Sequence, residues 1–240
     1  MHATGQVAHV DLPAAYAGDL ANAVNRQLAP RVVVVAAAPV DDGFDARRSA
    51  TSRHYRYLVW NAAVPDPLLA GLAWHVAERL DVKAMAAATD PLIGTHDFRA
   101  FCRRPPGRSP AEPIVREVTD AAWREVPAAW LGGERAALGP EGARAEGQSE
   151  EQEGAERPVL LRFDVVARSF CHQMVRSIVA VLVDAGRGKA TAASVMELLS
   201  AGSRVGSRRP APAHGLCLVG VGYAPSARQA APSAGTEASG

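Results

Sequence analysis

The sequence predicts an α+β fold in which mostly antiparallel sheet is flanked by helices. Three observations carry that reading. Segments of strand period alternate with segments of helical period, yet long strand-to-strand stretches break any regular strand–helix–strand series. The period switches sharply inside Phe163 to Leu182. There Leu161, Phe163, Val165 and Ala167 fall on one side of an extended segment, with Arg162, Asp164 and Val166 on the other. From Ser169 onward Phe170, Met174, Ile178 and Leu182 recur four apart, and Val175 and Val179 widen the stripe into a helix face. Finally, 240 residues at 48% hydrophobic content are enough for one large or two smaller domains with a substantial core.

Taken in order, Met1 to Val10 runs from small residues and a glycine turn into a short strand. Ala14 to Leu28 has helical spacing through Leu20, Val24 and Leu28, and Pro30 ends it. Arg31 to Ala38 contains the longest apolar run and reads as a buried strand. Asp41-Asp42-Gly43 is a turn. Ser49 to Trp60 alternates, with Tyr55, Tyr57 and Val59 opposed to His54, Arg56 and Leu58. Val82 to Leu92 is a short amphipathic helix, Gly94 to Phe98 a turn, and Ile114 to Val126 a strand with Val115 and Val118 near the core. The 128–158 stretch is low-complexity and reads as a solvated insertion. Ser169 is the expected cap of the next helix, which places His172 beside Arg176, and Gly186 and Gly188 stop it. Ser194 and Glu197 form a capping box for a helix through Leu199, and Leu216 to Val221 is the last strand. Residues 225–240, rich in Ala, Ser, Pro and Gly, are expected to be disordered.

Net charge is only +1, but its distribution is uneven. Seven acids and three arginines between Glu134 and Arg157 leave a local −4, so the remainder carries +5. Arginines gather at Arg47, Arg48, Arg53 and Arg56, at Arg99, Arg103, Arg104 and Arg108, and at Arg204, Arg208 and Arg209. On a folded surface these are either scattered solvated side chains or a path that tracks phosphates. Arg176, at the edge of its helix stripe, is likewise either snorkelling or held for a carboxylate or phosphate.

Several chemistries are excluded. Gly186-Arg187-Gly188-Lys189 lacks the first glycine and the hydroxyl residue of a phosphate loop, since Val183 and Ala190 stand there. No nucleophile elbow and no dinucleotide fingerprint occur. Cys102, Cys171 and Cys217 suggest neither a disulfide framework nor a zinc ribbon, and with His96, His172 and His214 they read as core or surface residues, so no metal is expected. No apolar run reaches a membrane span and no leader pattern opens the chain, so a cytoplasmic protein is expected.

Four ordered stretches then match one family. They are Phe44-x-Ala46-Arg47 with Ser49-Ala50-x-x-Arg53-x-Tyr55-Arg56-Tyr57; Gly94-Thr95-His96-Asp97-Phe98; Ser169-Phe170-x-His172-x-Met174-Val175-Arg176-x-Ile178; and Pro212-Ala213-His214-Gly215-Leu216. Together they resemble the TruA family of tRNA pseudouridine synthases, from the first residues to about Tyr223. The resemblance implies the pseudouridine synthase fold, isomerisation of uridines in the tRNA anticodon stem-loop, no cofactor, and a homodimer with the tRNA across both subunits. It implies three site residues. Tyr55 matches the active-site tyrosine that stacks on the extruded uracil, although strand pattern alone would make it a cross-strand core aromatic. Arg176 matches the arginine that partners the nucleophile and the flipped nucleotide's phosphate. Arg47 matches a further cleft arginine in contact with phosphate. His96, Asp97 and His214 are expected to serve turn hydrogen bonding.

The family's nucleophile is an aspartate in an Arg-Thr-Asp-Ala-Gly-Val-His-Ala-type loop, and here Met1 stands where that loop has valine. The expectation is therefore an aspartate just before Met1, an incomplete N-terminal α/β domain over 1–40, and a C-terminal α/β domain over 41–224. Translated from Met1 alone, the chain would keep tRNA contacts without a nucleophile.

Overall fold

A computed structural model of the 240-residue chain describes residues 1–13, 18–103, 107, 109, 112–126, 158–201 and 209–224. The expected insertion, apart from Pro158, and the expected disordered tail lie outside the described residues, as do Arg104, Arg108, Arg204 and Arg208. The chain divides into two compact units. One comprises Met1–Gly5 and Ser52–Gly220, and the other Gln6–Thr51 and Val221–Gly240.

The larger unit holds most of a mixed sheet that has seven strands among the described residues. The strands of this sheet are β1 (His2–Ala3), β2 (Ala50–Asn61), β3 (Trp74–Val76), β4 (Gly94–Asp97), β5 (Val115–Val126), β6 (Val159–Ala167) and β7 (Leu216–Tyr223), and β1-β7-β2-β6-β5-β4 is their order, with β3 added beside β2. The β2–β6, β5–β6 and β4–β5 pairs are antiparallel, while β1–β7 and β2–β3 are parallel. Thus the α+β reading holds, and the Gly94 to Phe98 segment expected as a turn is strand through Asp97. The β2–β6 register puts Tyr55 opposite Val165, Tyr57 opposite Phe163 and Val59 opposite Leu161. The side chains of these pairs share one face of the pleat and form the core with helices α2 (Val82–Thr89), α3 (Met174–Gly186) and α4 (Ala192–Ala201). Ten residues of α3 are buried, which accounts for the apolar stripe read from the sequence.

Three helix ends follow from local chemistry. Asp81 caps α2 through Oδ1, accepting from the Lys83 and Ala84 N–H groups at 2.9 and 3.0 Å. Gly188, at φ 72°, supplies the left-handed stop after α3. The cap of α4 is Thr191 rather than Ser194: the Ser194 N–H reaches Thr191 Oγ1 at 3.2 Å and the Thr191 N–H reaches Ser194 Oγ at 3.3 Å, a reciprocal box one turn earlier than expected. Val118 is buried as anticipated, but Val115 is 51% exposed at the start of its strand.

In the smaller unit α1 spans Leu20–Leu28 and ends before Pro30. Residues 6–13 are irregular rather than strand. Arg31 to Ala38 also departs from the expected buried strand. No described strand pairs with it, Val33 and Val35 are exposed, and the Asn25 side chain brackets Val34 by accepting from its N–H and donating to its carbonyl. An apolar run becomes a buried strand only where a neighbouring strand takes up its backbone groups. Among the described residues no helix is long and apolar enough to cross a membrane.

Candidate active site

Three backbone segments of the larger unit meet around the α3-facing side of β2. The first is β2 itself, which aims Tyr55 and Tyr57 to the same side, two residues apart. Tyr57 is fully buried and donates its hydroxyl to the Pro212 carbonyl at 2.8 Å. Burial drives its pKa far above the ordinary phenol value, with the Arg176 charge pulling the other way. Tyr55 is half-buried, and its ring meets Phe170 edge-on with centroids 5.1 Å apart. Burial raises its pKa too, against a smaller opposing pull from Arg53, so the phenol stays protonated at neutral pH.

The second segment joins β6 to α3. Ser169 does not cap this helix. Gln173 does so positionally, at φ 66°, and α3 begins at Met174, so His172 lies outside the helix and is exposed. Tertiary ties move the boundary. Cys171 is joined to Cys102 in a disulfide with Cα atoms 5.7 Å apart, and the Arg103 N–H donates to the His172 carbonyl at 2.8 Å. The cysteines are 69 residues apart in sequence, so no local motif announces the bond. Pinned this way, the segment holds Phe170 against Tyr55.

The third segment leads into β7. Arg176, in the first turn of α3, donates its Nε–H to the Ala211 carbonyl at 2.5 Å, and the Ala211 N–H returns a bond to the Arg176 carbonyl at 3.0 Å. Among the described residues no carboxylate pairs with this guanidinium. Gly215 completes the arrangement, because a Cβ there would stand 2.6 Å from the Tyr57 ring. The structure thus brings Tyr55 and Arg176 into one unit on elements that share a core.

Arg47 belongs to the smaller unit. It is exposed on a turn in which Asp45 Oδ1 accepts from the Arg47 and Arg48 N–H groups, both at 2.8 Å. These bonds, Arg48 first, hold the Asp45 pKa below its ordinary value. The turn is anchored by the Tyr223 hydroxyl on the Ala46 carbonyl at 2.7 Å and by Phe44 packed against the Tyr223 ring.

Not every clustered arginine is available to a ligand. Arg56 and Arg162 lie 2.9 and 2.6 Å from Asp164 on the opposite face of the sheet, with His54 at 2.9 Å, and Arg99 pairs with Asp97 at 2.5 Å. Burial pushes the Asp164 pKa up, but the Arg56 bond and charge, His54 and Arg162 together hold it below its ordinary value. Asp97 also accepts from the Arg99 and Ile114 N–H groups and His96 Nε2 bonds the Ile93 carbonyl, as expected of a turn, whereas His214 makes no local turn contact and bonds the Ala73 carbonyl, 141 residues away in sequence, through Nε2. Sequence reading missed Tyr57, Gly215 and the Asp164 cluster. Strand alternation grouped Tyr57 with Tyr55 and Asp164 with Arg162 within their own strands, but the relation between the two strands needed the β2–β6 register, which pairs Tyr57 with Phe163 and Arg56 with Asp164. Among the described residues no three His, Cys, Asp or Glu side chains gather as a metal site.

Comparison with known proteins bears on this arrangement directly. Residues 88–224 match the family model described as tRNA pseudouridine synthase. The chain is 38% identical over 235 residues to tRNA pseudouridine synthase A of Frankia casuarinae, covering 96% of this chain and 73% of that protein. It is 33% identical over 224 residues to the Bacillus subtilis protein of the same name (93% and 77% covered), and 36% identical over 229 residues to that of Caulobacter vibrioides (93% and 77%). The matched residues contain β5, β6, α3 and β7, and with them Arg176, Ala211, Pro212 and Gly215; on that extent and identity, the chain belongs to the tRNA pseudouridine synthase family.

Proposed function

We propose that this chain isomerises uridine to pseudouridine in the anticodon stem-loop of tRNA, with Arg176 and Tyr55 acting on a uridine flipped out of its stem and Arg47 contacting phosphate. One observation carries the site assignment: Arg176 is oriented through its Nε–H by Ala211, yet no described carboxylate takes up its charge. A guanidinium held this way is ready for an anion that arrives with the reaction.

The chemistry asks for little else. The C1′–N1 bond of uridine breaks and a C1′–C5 bond forms; the proton leaves C5 and N1 gains one, so atoms balance without a cofactor. A carboxylate nucleophile would assist the first step. Extruding the base costs a few kcal/mol of unstacking, which a stacking face offsets. Tyr55, braced by Phe170, supplies that face and a hydroxyl for proton transfer near C5. Its raised pKa makes it a hydrogen-bonding phenol, not a standing phenolate.

The nucleophile belongs to the same proposal. No described aspartate neighbours Arg176, and β1 runs parallel to β7 with His2 beside Cys217. Residues ahead of His2 would follow β7 backward toward the Pro212 turn that Arg176 and Tyr57 engage. This supports an aspartate encoded N-terminal to Met1. A homodimer and a cytoplasmic location complete the reading by family likeness.

Release of tritium from tRNA labelled at uridine C5 tests it. An N-terminally extended chain turns over, and Arg176→Ala lowers that turnover by about a hundredfold or more. Full activity in Arg176→Ala would overturn the site, and turnover by the 240-residue chain alone would overturn the upstream nucleophile. Sedimentation of the full chain reads the dimer.

A further inference from the structure

We propose that Tyr57 is a positioning residue for Arg176. This rests on the reading of Arg176 as the guanidinium that meets the substrate, and it adds what aims that group.

The argument is geometric. An arginine side chain has four soft torsions, and anchoring Nε fixes most of the path to the guanidinium plane. Here the anchor is the Ala211 carbonyl at 2.5 Å, and the backbone bond returned from the Ala211 N–H to the Arg176 carbonyl ties the same two residues twice. The anchor must itself be held, since Ala211 lies between two prolines, Pro210 and Pro212, in a segment without regular structure. Neither proline has an N–H to tie it to a neighbouring strand. The Tyr57 hydroxyl supplies the tie, donating to the Pro212 carbonyl one residue beyond the anchor at 2.8 Å.

Tyr57 is suited to this task. It is fully buried, its backbone is paired opposite Phe163 in the middle of β2, and its ring lies against Gly215, where any Cβ would stand 2.6 Å away. The ring therefore fixes the far end of the same turn that its hydroxyl fixes at the near end. A chain of contacts runs from the sheet through Tyr57 and the Ala211–Pro212 pair to the Arg176 guanidinium. Tyr55, two residues earlier on the same strand, is the stacking residue; Tyr57 works one layer behind it.

Tyr57→Phe keeps the ring and deletes only the hydroxyl. Two readouts test the proposal. In the full chain, the Arg176 Nε–H, followed by its own NMR resonance, exchanges slowly with water; Tyr57→Phe accelerates that exchange by tenfold or more. In the form of the protein that turns over uridine, Tyr57→Phe lowers kcat by about tenfold and leaves KM for tRNA within twofold, at a temperature well below the unfolding transition of either form. Unchanged Arg176 Nε–H exchange in Tyr57→Phe overturns the proposal, even if the variant is less active. Unchanged kcat in Tyr57→Phe, with Arg176→Ala inactive, overturns it and leaves the site assignment standing. Full activity of Arg176→Ala defeats the site assignment itself.

Discussion

Asp164→Asn isolates the ion cluster on the sheet face opposite Tyr57. The side chain of Asp164 is 10% exposed and lies 2.9 Å from Arg56 Nε and 2.6 Å from Arg162 Nε. Unit charges about 4 Å apart attract by about 4 kcal/mol at an effective dielectric near 20, before desolvation is counted. Removing one member of a buried pair typically costs about 3–5 kcal/mol, because the partner charge is stranded. Here Arg56 and Arg162 retain 33% and 29% of their side-chain exposure, so water resolvates them in part. A loss of about 2 kcal/mol at pH 7 is the expected value. The sign with pH follows from the depressed pKa of Asp164. Its contribution is complete above the unfolded aspartate value of about 3.9 and disappears as pH falls through the lower folded value. The gap between wild type and Asp164→Asn therefore closes at acid pH, where both are neutral at this position. Urea unfolding followed by tryptophan fluorescence at pH 7, 5, 4 and 3 measures it. A gap as wide at pH 3 as at pH 7 would refute the electrostatic account.

Four further outcomes concern Tyr55, the disulfide and the α2 cap. Tyr55→Phe lowers turnover by a constant factor from pH 6 to 9, because a phenol whose pKa is raised from 10 does not ionise in that window; a limb present in wild type and absent from the variant would contradict this. Under non-reducing conditions thiol titration finds one free cysteine, Cys217. Cys102→Ser or added reductant lowers stability by about 2–4 kcal/mol, read as a drop in Tm, since the bond closes a loop across a sequence separation of 69. Asp81→Ala removes two capping bonds from α2 and costs about 1 kcal/mol in urea unfolding at pH 7, whereas Asp81→Asn costs less.

Much of the larger unit was legible because its signals are periodic. The alternation through Tyr55, Tyr57 and Val59 placed β2 within a residue at each end, and the four-residue spacing of Met174, Ile178 and Leu182 marked the buried face of α3. Where a boundary depends on distant residues, local chemistry misleads. Ser169 has the right side chain for a cap, but the tie of Cys171 to Cys102 and of His172 to Arg103 delays the helix to Met174. Val32 to Ala38 failed for a related reason: hydrophobicity states a preference for burial, and only a pairing partner turns it into a strand. At the site, Tyr55 and Arg176 were visible through motif likeness. Tyr57 and Gly215 were present in the same motifs, yet nothing in one dimension says that the ring of one lies where a side chain on the other would be.

The pairing of Val126 with Leu160 has a further consequence. The segment between β5 and β6 leaves and re-enters the sheet at neighbouring points, so its ends are closed whatever its length. Doubling such a connection costs only about 0.6 kcal/mol in chain entropy. It also joins β6 at the end away from Ala167, and nine strand residues separate it from the stretch that delivers Phe170, roughly 30 Å at the usual rise. The points at which this connection joins the sheet are therefore remote along β6 from the stretch that delivers Phe170, whatever number of residues lies between them.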